Sequence, residues 1–125
     1  MTLTNLKNTQ NGIDLTMSFN RPIKDVVGTT DFGKSFNALS DNDQFKKNIR
    51  DAKKNLLQDL RIGSKIPHDR WPNDYKKLGL TNLWVYRLSI EERLVYTIIS
   101  DASGFTGLMI EAFRTHKEYE KRFGY

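Results

Sequence analysis

Three apolar stretches near the C-terminal end are joined by links of only a few residues. Leu83 to Leu88 is rich in aromatic and β-branched residues, as is Arg93 to Ile99, and Phe105 to Arg114 follows in the same style. Ser89-Ile90-Glu91-Glu92 separates the first pair and Asp101-Ala102-Ser103-Gly104 the second. A connection between parallel strands needs a dozen or more residues, so links this short permit only antiparallel neighbours. The sequence therefore predicts a three-stranded meander.

The segments before it read as helices. Val26-Val27 begins a short strand that ends at Gly28. Asp31 then has the character of a helix N-cap, with Phe32, Phe36 and Leu39 at helical spacing. Ser40 or Asp41 caps a second, longer helix with an apolar stripe of Phe45, Ile49, Ala52, Leu56 and Leu60, and Gly63 is its expected stop. Two tightly joined antiparallel helices thus fill residues 31–61. The opposite face of the second carries Lys46, Lys47, Arg50, Lys53 and Lys54, which reads as a solvated face with local pairs such as Asp43–Lys47.

Residues 64–82 read as a loop with Pro67 and Pro72, studded with Lys65, Arg70, Lys76 and Lys77. A loop this long is functional or disordered as a rule, and Trp71 and Tyr75 argue against disorder because they need somewhere to pack. At the other end Thr115-His116-Lys117-Glu118 forms a capping box that starts a short helix, and Gly124 stops it. The expected fold class is α+β: a helical hairpin packed on a small antiparallel sheet, with a short C-terminal helix. It occupies residues 25–125 and follows an arm, residues 1–24, to which no function is assigned. Within the arm, Asn5 to Gly12 is polar, Ile13 to Phe19 alternates like an edge strand, and Met17 is an alternative start.

Composition narrows the function classes. The chain has 125 residues, enough for one core, and 38% are apolar and 28% charged, which marks a soluble globular domain. No apolar run approaches the roughly 18–20 residues that span a bilayer. The first residues lack the pattern of a signal peptide. The absence of cysteine removes disulfides, zinc thiolates and thiol nucleophiles, and suits the cytoplasm. Twenty Lys and Arg against fifteen Asp and Glu give a net charge of +5, a weak lean toward a polyanionic partner.

The polar residues near the strand ends could cleave RNA without a metal. That chemistry needs a base for the ribose 2′-hydroxyl, cations for the phosphorane-like charge and an acid for the departing 5′-oxygen. Arg87, Arg93, Arg114, His116 and Tyr119 offer much of such a set. Arg87 and Arg93 flank one turn, and the register decides whether they share a face. A four-residue loop pairs Leu88 with Arg93 and puts the arginines on opposite faces; a three-residue loop pairs Arg87 with Arg93 and puts them together. Either arginine is otherwise a surface residue pairing with Glu91, Glu92 or Glu111. An unperturbed imidazole can take or give a proton near working pH, and His116 is fixed in the first helical turn. Tyr119 follows at i+3, free to meet a base or to pack under the sheet. His68, in the loop, ranks below His116. The two histidines have no partners at metal-ligand spacing, and no phosphate-cradling glycine loop is present.

Leu83-Trp84-Val85-Tyr86-Arg87-Leu88 followed by Glu92-Arg93-Leu94-Val95-Tyr96 is similar to the strand pair of RelE/YoeB toxins within the RelE/ParE superfamily. Thr115-His116-Lys117-Glu118-Tyr119-Glu120-Lys121-Arg122 resembles the ending of HigB-like members. The match covers residues 83–125, and 26–82 agree in pattern only. The resemblance implies the toxin of a type II toxin–antitoxin pair, a metal-independent mRNA endonuclease that acts with the ribosome and needs no cofactor. It implies a cognate antitoxin, mRNA and rRNA as partners, no membrane, and a monomer or a toxin–antitoxin hetero-oligomer. Arg93 falls on the family's transition-state arginine and Arg114 on its strand-end basic residue. His116 and Tyr119 fall on the acid–base positions. Lys65, Lys76 and Lys77 resemble loop lysines that contact RNA, and Tyr125 is a further stacking candidate. YoeB-like members carry a glutamate base in the loop, where this chain has only Asp69 and Asp74. Alternatives on the same fold are a ParE-like gyrase poison and a non-catalytic RNA-binding module.

Overall fold

The computed structural model describes residues 21–125. Strand β1 (Ile23–Gly28) leads into helices α1 (Thr30–Ala38) and α2 (Gln44–Gln58). A two-residue strand β2 (Ser64–Lys65), a 3-10 turn (His68–Arg70) and helix α3 (Asn73–Lys76) come next. Strands β3 (Trp84–Arg87), β4 (Arg93–Asp101) and β5 (Gly104–Phe113) precede the C-terminal helix α4 (His116–Phe123). The expected arm elements, including the candidate strand from Ile13 to Phe19, lie outside the described residues.

The meander forms as its short links require: β3 and β4 pair antiparallel, as do β4 and β5. The sheet is nevertheless larger than expected and mixed. Its order is β1-β5-β4-β3-β2, with β1 parallel to β5 and β2 antiparallel to β3. The expectation of a purely antiparallel sheet fails at β1, whose partner is remote in sequence and whose only fully buried residue is Val26. That strand also begins at Ile23, inside the stretch assigned to the arm. The supposed loop at residues 64–82 is a string of short elements. Trp71 and Tyr75 are buried, and the Trp71 Nε1–H donates to the Ile66 carbonyl at 2.9 Å.

Strand alternation divides the apolar residues into two cores. On one face Leu94, Tyr96 and Met109 meet Phe32 of α1 and the α2 stripe Phe45, Ile49, Ala52 and Leu56, with Leu60 just beyond the helix. On the other face Val95 and Phe113 meet Ile66, Trp71, Tyr75, Leu83 and, from α4, Tyr119 and Phe123. Strand β4 is buried on both sides, and full burial of a side chain such as Leu94 contributes roughly 1.5–3 kcal/mol. Asn82 extends the ladder through its side chain, accepting from Ile98 N and donating to Ile98 O, both at 2.8 Å.

The helix boundaries correct the sequence in instructive ways. Thr29, not Asp31, caps α1, its hydroxyl accepting from Phe32 N at 3.1 Å. Asp43, not Ser40 or Asp41, caps α2, accepting from Phe45 N at 3.0 Å. Ser40 and Asp41 sit in the preceding turn. Asp41 pairs with Lys46, which is only 6% exposed and also donates to the Leu39 carbonyl, so Lys46 does not belong to the solvated face. Asp43 pairs with Arg114 rather than Lys47. Helix α4 keeps its expected start, Thr115 accepting from Glu118 N, and its expected stop, Gly124 at φ 71°.

Helix α2 ends at Gln58, so Gly63 is not its stop. What Gly63 supplies is room: a Cβ there would stand 2.6 Å from the Val85 carbonyl and 2.8 Å from the Tyr96 hydroxyl. The Tyr96 hydroxyl accepts from Gly63 N at 3.2 Å and donates to the Leu60 carbonyl at 2.6 Å, which ties the end of the α2 segment to the sheet. Gly63→Ala should therefore lower stability by roughly 1–3 kcal/mol in urea unfolding. Gly33→Ala, in open space on α1, should raise it by about 0.5–1 kcal/mol. Equal midpoints for the two variants would contradict this packing.

Candidate functional site

Arg87 stands directly opposite Arg93, and Arg93 opposite Phe113, so one row crosses β3, β4 and β5. Opposed residues share a face, and Phe113 identifies it as the face covered by α4. The Leu88 N–H donates to the Glu92 carbonyl at 3.0 Å, closing a three-residue turn of Ser89, Ile90 and Glu91. This is the register that puts the two arginines together. Like charges opposed across strands are destabilising, and Arg93 is held in place by its own turn. Its Nη1 donates to the carbonyls of Ser89, Ile90 and Glu92 at 3.0–3.1 Å. Arg87 is exposed and, among the described residues, has no carboxylate partner.

Helix α4 begins beside this row. The backbone N–H of His116 faces Glu91 Oε1 at 3.4 Å, which joins the helix start to the turn. The His116 side chain is 43% exposed, its Nδ1 3.9 Å from Glu120 Oε1 and its ring parallel to that of Tyr119 at 6.3 Å. Tyr119 is 5% exposed and packs edge-on against Phe113 at 5.8 Å. Burial pushes its hydroxyl well above the usual tyrosine range; Tyr125 adds to the rise and the nearby charge of Arg93 opposes it. Tyr119 thus sits under the sheet as a core residue next to the arginine row. Tyr125 stacks on it at 5.8 Å, half exposed, and the Arg70 guanidinium lies over the Tyr125 ring at 4.6 Å.

The other expected residues are not gathered here. Arg114 follows Phe113 and turns to the α2 side, where it binds both Asp43 oxygens and covers the Phe45 ring at 4.5 Å. That pairing holds the Asp43 carboxyl below its usual range. Lys65 lies opposite Trp84 on the face covered by α1 and α2, its ammonium 6.0 Å from the Trp84 ring. Lys76 and Lys77 are exposed on and just after α3. His68 packs on Trp71 at 4.7 Å.

Glu111, one of the expected partners of Arg87 or Arg93, belongs instead to a second polar group that includes Tyr75 and Arg122. Glu111 occupies the row of Val85 and Val95, on the α4 face, and accepts from the Tyr75 hydroxyl at 2.6 Å and from Arg122 Nε at 3.2 Å. Arg122 also grips both oxygens of Asp74. Burial, and then Glu111, drives the Tyr75 hydroxyl far above the ordinary range, so it is the donor of its bond. The signal was the one ionisable residue in strand β5. Among the described residues, no group of three or more His, Cys, Asp or Glu is arranged to hold a metal ion. No helix is long and apolar enough to cross a membrane, among the described residues.

No family model matches the sequence, and no curated protein matches it. Among solved structures, the fold is similar to a YoeB/ParE toxin from Agrobacterium tumefaciens. The two chains are 20% identical with a TM-score of 0.48, over 70% of this chain and 94% of that one.

Tyr75, Tyr96 and Tyr119 are three of the five tyrosines, and burial is the leading cause of a raised pKa for each, to about 12 for Tyr96. An unfolded chain releases these protons near pH ~10, before the folded one. Stability should therefore be intact below about pH 10 and decline as pH rises further. Ultraviolet titration of the folded protein, about one unit above the ordinary tyrosine value, should fall well short of the amplitude seen in denaturant. A full amplitude under native conditions would contradict the burial of these hydroxyls.

Proposed function

We propose that this chain is an endoribonuclease of the RelE/YoeB/HigB toxin kind, which cuts mRNA by attack of the ribose 2′-hydroxyl and so stops translation. The observation that carries the reading is the Arg87–Arg93 row beside His116. Two guanidinium groups on adjacent strands suit a phosphodiester, since each planar fork can engage phosphate oxygens and neither charge is lost at working pH. As charge builds on the phosphorus during attack, fixed cations stabilise the transition state more than the ground state.

In this reading Arg93 is the transition-state arginine, positioned by its bonds to the turn, and the exposed Arg87 meets the substrate from solvent. His116 protonates the departing 5′-oxygen; its imidazole is half-exposed and within reach of proton exchange. Tyr119 is the floor on which His116 and Tyr125 rest, and the half-exposed Tyr125 forms with the Arg70 guanidinium over it a stacking platform for a base. Arg114 serves the α2 cap instead of the phosphate. Lys65, Lys76 and Lys77 supply salt-sensitive contacts to more distant RNA phosphates. The partners in this reading are a cognate antitoxin, mRNA and the ribosome in the cytoplasm.

One observation favours a second reading, a non-catalytic RNA-binding module. Arg93 Nη1 is already shared among three turn carbonyls, as a purely structural arginine would be. Single-turnover cleavage separates the two. With purified ribosomes and a short mRNA, Arg87→Ala, Arg93→Ala and His116→Ala should each slow cleavage by roughly 10²–10⁴-fold. The unfolding midpoints of the Arg87 and His116 variants should stay within the range of ordinary surface substitutions, while Arg93→Ala, which also frees the turn carbonyls, should lose roughly 1–3 kcal/mol. Binding without any cleavage by the unsubstituted chain would support the module and contradict the nuclease.

A further inference from the structure

Cleavage by 2′-hydroxyl attack needs a group to accept a proton, and the arginines and His116 in its acid role leave that position unfilled. The carboxylates around the row are mostly committed. Glu92 accepts from Asn48 Nδ2 at 2.8 Å on the α2 side, and Glu111 is held by Tyr75 and Arg122. Glu120 lies one helical turn past His116 and faces its Nδ1. Glu91 differs. It belongs to the three-residue turn between Arg87 and Arg93, it is exposed, and its single contact among the described residues is the long one from His116 N at 3.4 Å. The carboxylate meets the backbone N–H of His116, and the imidazole lies against Tyr119 and Glu120. Carboxylate and imidazole are therefore two separately held groups at the start of α4, beside the arginine pair.

We infer that Glu91 is the general base of this site, an inference that rests on the ribonuclease reading. The Glu91 carboxylate takes the proton from the ribose 2′-hydroxyl as the 2′-oxygen bonds to phosphorus. The bond from phosphorus to the 5′-oxygen breaks, and the His116 imidazolium gives that oxygen its proton. The products are a 2′,3′-cyclic phosphate and a 5′-hydroxyl end. Glu91 has gained the proton that His116 lost, and exchange with water resets both.

An RNA with sulfur in place of the bridging 5′-oxygen separates base from acid, because the thiolate departs without protonation. The probe is a short mRNA carrying that linkage, or its oxygen parent, on purified ribosomes with the full chain. Glu91→Gln should cut the oxygen substrate roughly 10²–10⁴-fold more slowly and remain slow on sulfur. His116→Ala should regain most of its rate on sulfur. Glu92→Gln should cut like the unsubstituted chain. Glu91→Ala, read in the same way, covers the case in which the amide disturbs the turn. A Glu91→Gln variant that cuts at the unsubstituted rate, or that sulfur restores, overturns this inference alone. An unsubstituted chain that cuts neither substrate overturns the ribonuclease reading and the inference with it.

Discussion

The Leu88 N–H donates to the Glu92 carbonyl, and this bond sets the register of β3 on β4. Side chains in a strand alternate with a period of two, so a slip by one residue would send every β3 side chain to the opposite face. In the observed register Trp84 and Tyr86 join the core under α1 and α2, and Val85 joins the core under α4. The same register sets Arg87 beside Arg93. Two cations at one position would repel, and the carbonyls of the intervening turn offset this by gathering around Arg93 Nη1. The turn thus fixes the packing of both cores and the charge of the candidate site together.

The two cores divide the labour. The α2 side is closed by long apolar contacts and by the Tyr96 hydroxyl, which reaches across to Leu60 and Gly63. The α4 side is smaller and more aromatic, and its polar groups are tied in pairs: Glu111 with Tyr75 and Arg122, and Arg122 with Asp74. Those ties anchor the far end of α4. The near end, at Thr115 and His116, depends on its cap and on Glu91. A helix fixed at its far end and capped beside the turn holds His116 next to the arginine row with its imidazole half in solvent.

Much of this was legible in the residues, where the controlling interactions are local. Short links at 89–92 and 101–104 require the meander, Thr115 and Gly124 bound α4, and the stripe from Phe45 to Leu56 marks the buried face of α2. What was illegible depends on remote partners. Val26 gives no hint that its strand pairs parallel with β5. Ser40 or Asp41 reads as the cap of α2, and Asp43 as a partner of Lys47, until the fold brings Lys46 to Asp41 and Arg114 to Asp43. Gly63 looks like a helix stop when its role is to admit the Val85 carbonyl and the Tyr96 hydroxyl. In the candidate site, Arg87, Arg93 and His116 could be named from sequence, but their adjacency hung on one residue of turn length. Arg114 was grouped with them because it ends the strand, and the alternation of β5 sends it to the other side.

The chemistry at the arginine row is the central claim, and the ends of the cleaved RNA test it most directly. Purified chain, first dialysed against chelator, should be incubated with ribosome-bound mRNA in the magnesium buffer that keeps ribosomes intact, and the fragment termini identified by mass spectrometry. The account requires 2′,3′-cyclic phosphate and 5′-hydroxyl ends. Fragments with 5′-phosphate and 3′-hydroxyl ends would contradict it.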